Sequence, residues 1–487
     1  MSDSVLLAAI RLVDRGTLTL SEEKDPEIVF QTLAFDVSVS GGRTYSGVAP
    51  GATFLAAPFY ALLRPLLPWF DDDVIRSKRI LNYYLANSRA LGEPSSDHFK
   101  GMYLLQIFLV LSFVAPLYAA FHLRLHDLAR ERGAPPAQAI LIAVAAGIGC
   151  MTLYYSTMYS RQAIAYLLLW SAILPFGARA EPDAWRCFVA GTLCGAAVSV
   201  DYLAALAVGL FLIFAAPGLP FRGKIALVLP LAALVALTGL YHYSVFGSVF
   251  STPYHHRFWH TPPVLAERGI DFAAFQEGRW LGANLPSPGV MLQLCFGRYK
   301  GLFLYSPILA MGLLGHLRSL RSSSARGVAS FSLVVFLAYL AFNSTLGTHV
   351  EGYGHHFWGG LGVLWGPRYL FAVQPFLAWG LLAFDWSRAF FRAFSLALVA
   401  ASCFLSVLGA MYSQVMMSTF VFSPELEDPL AYAASLLVRL GPRVSLLDAY
   451  GVSPLGQSGV LLALLLVSAA LLVRAFLQEK PWKPSTQ

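Results

Sequence analysis

This sequence predicts an all-α polytopic membrane protein, a helical bundle of about eleven transmembrane helices with loops on its outer face, on the strength of three observations. Hydrophobic residues make up 57% and charged residues 13% of the 487 positions, a balance that a water-soluble globule of this length does not have. Mean hydropathy is +0.61. From residue 101 onward, apolar runs approaching the ~20 residues that cross a bilayer follow one another with short connections. The lysines and arginines give a net charge of +7, but they are dispersed in the loops between those runs, as the positive-inside rule requires. That dispersal excludes nucleic acid as a partner and makes membrane lipid the surrounding medium.

Residues 1–100 contain no uninterrupted run long enough to span a bilayer and are expected to form an external N-terminal region. Within it, 3–13 reads as a short helix, Glu22, Glu23, Asp25 and Glu27 as an acidic turn, and 35–45 as a strand or extended loop. The stretch 52–67 is apolar but interrupted by Arg64 and by Pro58 and Pro65. With Asp71-Asp72-Asp73 following, it reads as a helix lying in the membrane interface. Residues 101–487 form the multi-span domain. Its spans are expected at 101–123, 137–155, 163–178, 187–200, 203–216, 223–243, 301–316, 328–346, 368–384, 393–414 and 458–476. Basic loops around Arg124, Arg130 and Arg132, then Arg179 and Arg186, Arg222 and Lys224, Arg318, Arg321 and Arg326, and Arg388 and Arg392, alternate with charge-poor ones. The basic set, with the C-terminal tail carrying Arg474, Lys480 and Lys483, is assigned to the cytoplasm. An odd number of spans then puts the N-terminal region outside, and a region carried outside calls for a transmembrane helix ahead of Met1.

The external loops, 244–300, 347–367 and 415–457, are the long ones, so chemistry is expected there. Seven of the eleven histidines (His242, His255, His256, His260, His349, His355 and His356) fall in or beside them, next to Tyr254, Trp259, Tyr353 and Trp358. One reading is an aromatic belt at the interface; the other is a divalent metal site, with no HExxH or cysteine pair to support it. Four cysteines lie inside apolar runs, only Cys295 sits near a loop, and no disulfide framework follows. Asp201, between two short apolar runs, is either a structurally paired acid or part of a site. Three polar, glycine-rich stretches each open an apolar run: 45–51, then 296–302 with Tyr305-Ser306-Pro307 just inside, and 355–360 continuing to Gly366-Pro367-Arg368-Tyr369. An arginine at such a boundary, as Arg368 is, either snorkels to the interface or holds an anionic headgroup.

Taken in order, Asp36, Gly42, Tyr45-Ser46, Ala49-Pro50-Gly51, Phe246-Gly247-Ser248, Arg298, Gly301-Leu302-Phe303, Tyr305-Ser306-Pro307, Trp358-Gly359-Gly360 and Gly366-Pro367-Arg368-Tyr369 resemble the GT-C glycosyltransferase superfamily. The similar branch comprises bacterial relatives of the dolichyl-phosphate-mannose protein mannosyltransferases and of the lipid A aminoarabinose transferase. The resemblance covers most of the chain, although no single motif is highly specific. It implies an inverting transfer of a sugar from a polyprenyl-phosphate-linked donor to a glycan, lipid or protein acceptor at the outer face of the bacterial inner membrane. The chain departs from that pattern at its start, where such proteins have a first transmembrane helix followed by an acid-bearing loop. Asp3 then stands near the family's catalytic position without its paired acid, and Asp36 matches the branch's own motif better. The resemblance implies Asp36 or Asp3 as base, and Arg298, Lys300 and Arg368 as phosphate ligands, with Tyr45 and Tyr369 at the donor. Asp201, His355 and His356 are possible polar-site residues. Each has a plain structural alternative: Asp36 as a turn cap, the cations as helix-end anchors. A competing class is a transporter or a non-catalytic lipid-binding scaffold; a transporter would show internal repeats and midplane acids, and only Asp201 answers to the latter.

Overall fold

The computed structural model describes residues 3–20, 36–69, 96–177, 182–258, 266–267, 269, 271, 273–277, 282–323, 325–360, 365–386, 388–422, 428–441, 453, 456 and 459. The acidic turn at 22–27, Asp71-Asp72-Asp73, Trp259, His260 and, apart from residue 459, the run 458–476 lie outside the described residues.

The chain is mostly helical. Helix α1, Asp3–Arg15, buries Val5, Leu6, Leu7, Ala8 and Ala9 against α2, Gly51–Leu63, and α3, Ser96–Leu109. Between α1 and α2 lies an antiparallel hairpin, β1 (Val37–Ser40) with β2 (Arg43–Ser46). Its two-residue turn is Gly41-Gly42, with φ of +55° and +70°, a conformation only glycine adopts without strain and the one that matches strand twist. Helix α2 starts on Gly51, where an added methyl would stand 2.5 Å from the Ser199 carbonyl oxygen. That contact docks the N-terminal region on the end of a later helix.

Helix α3 runs through a π-helical turn, Val110–Val114, into α4, Ala115–Glu131. Then come α5 (Pro136–Ala146), α6 (Thr152–Ser156), α7 (Arg161–Ile173), α8 (Ala184–Val200), α9 (Ala204–Ala215) and α10 (Phe221–Phe246). The second half holds α11 (Pro288–Phe296), α12 (Leu302–Tyr305), α13 (Ile308–Ser319), α14 (Arg326–Asn343), α15 (Gln374–Trp379), α16 (Ala389–Phe422) and α17 (Pro429–Leu440). Among the described residues, four helical stretches are long and apolar enough to cross a membrane: Leu104–Glu131, Phe221–Phe246, Arg326–Asn343 and Ala389–Tyr412.

The other apolar runs expected as spans are shorter or broken. The run at 137–155 stops at Gly147 and resumes as α6. Ser306-Pro307 separates α12 from α13, and 368–384 is a 3-10 turn, Arg368–Val373, followed by α15 and a second turn, Gly380–Ala383. Helix α7 is buried on nearly every side. Hydropathy cannot separate such core segments from lipid-facing ones, because both are apolar all round. The break at Asp201-Tyr202 between α8 and α9 is present as the sequence indicates.

Glycine sets the closest packing. A methyl on Gly191 would stand 2.0 Å from the Leu227 carbonyl oxygen, so α8 and α10 meet backbone to backbone. Gly312 and Gly315 of α13 meet the carbonyls of Leu377 and Gly380 in the same way, at 2.1 and 2.0 Å. Small residues at such crossings maximise dispersion contact where lipid supplies no hydrophobic drive. At the centre, the Trp170 indole donates to the Ala372 carbonyl at 2.8 Å and packs on Phe371, with ring centroids 5.2 Å apart. This fixes the 368–373 turn against α7.

Candidate functional site

The residues that gather come from five separate elements. Asp36 immediately precedes β1 and forms an ion pair through its Oδ1 with Nη2 of Arg257. The pairing follows from the backbone: Ser38 bridges Arg257, the Phe258 amide donates to the Val37 carbonyl at 3.0 Å, and the Ser38 hydroxyl donates to the Pro253 carbonyl at 2.7 Å. The 253–258 segment therefore lies along the hairpin like a further strand. Beside it, the Tyr254 ring has the guanidinium carbons of both Arg161 and Arg257 at 6.0 Å from its centroid.

Arg161 opens α7, and its Nε lies 3.7 Å from Asp201 Oδ2. Both side chains are buried, at 8% and 6% exposure, so neither charge is relieved by water. Asp201 uses its other oxygen to accept from the Leu203 amide at 3.0 Å, steadying the start of α9. Arg368 opens the turn that Trp170 and Phe371 seat against α7, and it lies over the Tyr369 ring at 5.1 Å. Gly360, with φ +115°, is close enough that a side chain there would press on the Arg368 guanidinium.

The electrostatics make these one cluster. Burial raises the Asp36 pKa, but Arg257 first, then Arg161 and, more weakly, Arg368 outweigh it, and the net shift is downward. Asp36 is held as a carboxylate below the ordinary range. Among the described residues, three guanidiniums, Arg161, Arg257 and Arg368, share this cluster with two carboxylates, Asp36 and Asp201.

The remaining candidates have other surroundings. Lys300 is buried, and its ammonium donates to the carbonyls of His356, Trp358 and Gly360 at 2.9, 2.9 and 2.5 Å. Burial, with Arg368 nearby, pushes its pKa down. Three acceptors nevertheless require three N–H donors, which only the ammonium has, and the carbonyl dipoles keep that proton in place. Its three donors staple the 356–360 loop, a different use of the ammonium from the phosphate role expected for Lys300. Arg298 is solvent-exposed, and its carbonyl accepts from the Tyr305 hydroxyl at 3.2 Å. Tyr45 packs edge-on against Phe246, with centroids 6.1 Å apart. Asp3 starts α1.

The described loop imidazoles have partners of their own. His255 Nδ1 accepts at the Thr252 backbone amide, His256 Nε2 meets the Ser251 hydroxyl at 2.7 Å, His349 Nε2 donates to the Ala274 carbonyl at 3.0 Å, and His356 Nδ1 meets the Tyr299 hydroxyl at 2.7 Å. His355 packs on Tyr299 and His356. Among the described residues, no group of three or more His, Cys, Asp or Glu converges as a metal site.

Arg161 and Arg257 had no assigned role on sequence grounds, and Tyr254 was read only with the aromatic residues beside the outer-loop histidines. The available signal was positional: Arg161 begins a buried apolar run, and Arg257 follows a pair of histidines in a long loop.

Fold and site together define a helical protein with, among the described residues, four helices long and apolar enough to cross a membrane and a cation-rich cluster gathered from separate elements. No family model, curated protein or solved structure matches this chain.

Proposed function

We propose that this protein is a GT-C-type membrane glycosyltransferase, moving a sugar from a polyprenyl-phosphate carrier to an acceptor hydroxyl with inversion. In this reading the shorter apolar helices complete about eleven passages, the C-terminus is cytoplasmic, and the site faces outward from the bacterial inner membrane. The observation that carries it is Asp36 among three arginines: a carboxylate to take a proton beside guanidiniums to take a phosphate. The residues gathered, at 36, 201, 257 and 368, are ones that charge alternation puts on or near the outer side.

The chemistry follows from charge. The acceptor oxygen attacks the anomeric carbon, the bond from that carbon to the phosphate oxygen breaks, and the carrier phosphate leaves with the bonding electrons. The acceptor proton passes to Asp36. Arg257 engages Oδ1, so Oδ2 is the receiving oxygen. Arg368 and Arg257 stabilise the leaving phosphate; a guanidinium fork stays charged at any working pH and pairs two oxygens at once.

The test is sugar release from polyprenyl-phosphate hexose and pentose donors by purified protein in proteoliposomes. Turnover that Asp36→Asn abolishes while donor binding persists supports the assignment. Donor binding without release from any donor replaces the enzyme by a lipid-binding scaffold, a role to which the closed Asp36–Arg257 pair is also suited.

A further inference from the structure

Helix α7 begins without a side-chain cap. Ser160 is extended, at φ −102° and ψ 123°, but its hydroxyl donates to Gln162 Oε1 at 3.1 Å instead of accepting from a first-turn amide. The first amides of a helix have no partner within it and carry its positive end. Here they belong to Arg161, Gln162 and Ala163, exposed by 7%, 4% and 0%. A cation at this end is the reverse of what the dipole favours, so Arg161 adds positive charge where positive charge already accumulates.

What neutralises it is incomplete. Asp201 lies 3.7 Å from Arg161 Nε, beyond hydrogen-bond range, and Asp201 Oδ1 is taken by the Leu203 amide. Arg161 Nη1 is buried without a hydrogen-bond partner among the described residues, as is Gln162 Nε2. Tyr254 and Arg257 close the other side. A buried guanidinium nitrogen without a hydrogen-bond partner among the described residues and an uncapped helix start meet at one place.

We infer that the start of α7, with Arg161, is the seat of a singly charged oxyanion of the phosphate class, and that Asp201 is the positioning residue that aims Arg161 at it. An oxyanion there accepts from the first-turn amides and from the open side of the guanidinium fork at once. That the ligand is the carrier's phosphodiester rests on the function proposed above; the seat itself does not.

The test is hydrogen exchange at residues 161–164 of the full chain in nanodiscs, with inorganic phosphate, farnesyl phosphate or uncharged farnesol. Slower exchange with farnesyl phosphate but not farnesol supports the seat. Equal protection by inorganic phosphate assigns it to the anion alone, and protection by farnesyl phosphate only assigns it to a lipid headgroup. Arg161→Gln should weaken farnesyl phosphate binding by about tenfold or more, and Arg161→Lys nearly as much, because an ammonium lacks the fork. Asp201→Asn should weaken binding while leaving the protection pattern at 161–164 in place at saturation. Bound farnesyl phosphate that leaves exchange at 161–164 unaltered overturns the seat, and this measurement on the wild-type chain does not depend on any variant folding. Sugar transfer without that protection removes the seat alone; protection without transfer from any donor removes the enzyme reading alone.

Discussion

Replacing Lys300 by Met keeps the length of the side chain and removes the three donors that hold the 356–360 loop. The abandoned carbonyls of His356 and Gly360 are buried and that of Trp358 is half-buried, so each lost bond costs about 1 kcal/mol, and the set about 3 kcal/mol. No longer burying an ammonium offsets part of that. At 1.4 kcal/mol per decade, the local opening equilibrium should still rise by about tenfold or more. Hydrogen exchange of the 355–360 amides in detergent measures this directly, against a remote control such as α8. Lys300→Arg is the decisive companion. A phosphate ligand tolerates guanidinium for ammonium, whereas a cage of three carbonyls around one nitrogen does not admit it. Wild-type exchange in both variants, together with weakened donor binding in Lys300→Met alone, would refute the staple and restore Lys300 as a ligand.

Arg368→Lys should fold yet lose most transfer activity while retaining some donor affinity, because a point charge cannot make two parallel bonds; steady-state kinetics with wild type alongside decides it. Asp36 has a lowered pKa, so the stability of its pairing is fully present above pH ~4 and is lost only as pH falls through the depressed value. Arg257→Gln should move the acid-unfolding midpoint upward, and an unmoved midpoint would sever Arg257 from the shift. Gly312→Ala forces a methyl against the Leu377 carbonyl and should cost about 1–3 kcal/mol by overpacking, read as a lower midpoint in detergent denaturation. Phosphatase fused within 248–256 should be active and phosphatase fused near 320 inactive, and the reverse would invert the proposed orientation.

Local periodicity and punctuation carried much of the fold. Alternation at 35–45 marked extended chain, though not its fold into a two-stranded hairpin, and Asp201-Tyr202 marked the α8–α9 break. Hydropathy did not distinguish core from lipid-facing helix: α7 and the 368–383 segment are enclosed by protein, yet their sequences are apolar like those of the four long helices. Of the cluster, Asp201 and Arg368 stood out as polar residues at apolar boundaries, and Asp36 through the motif resemblance. Arg257 did not, since its place beside Asp36 arises from a strand-like pairing across more than two hundred residues. The sequence showed the charge of Lys300 but not the three carbonyls folded around it.

The strand-like seating of 253–258 has a kinetic meaning. With Ser38, Val37 and Pro253 tying that segment to the hairpin, and Ser40 adding a bond to the Val245 carbonyl at 2.8 Å, the Arg257 main chain has little freedom to travel. Any change of partner by Arg257, from Asp36 to an arriving anion, is then a side-chain rotation. Such rotations complete in nanoseconds or less when exposed and more slowly when half-buried, still well ahead of the microsecond-to-millisecond range of lids. Exposure of the Asp36 carboxylate would follow anion arrival almost at once, and slow gating, if turnover shows any, would have to originate elsewhere in the chain.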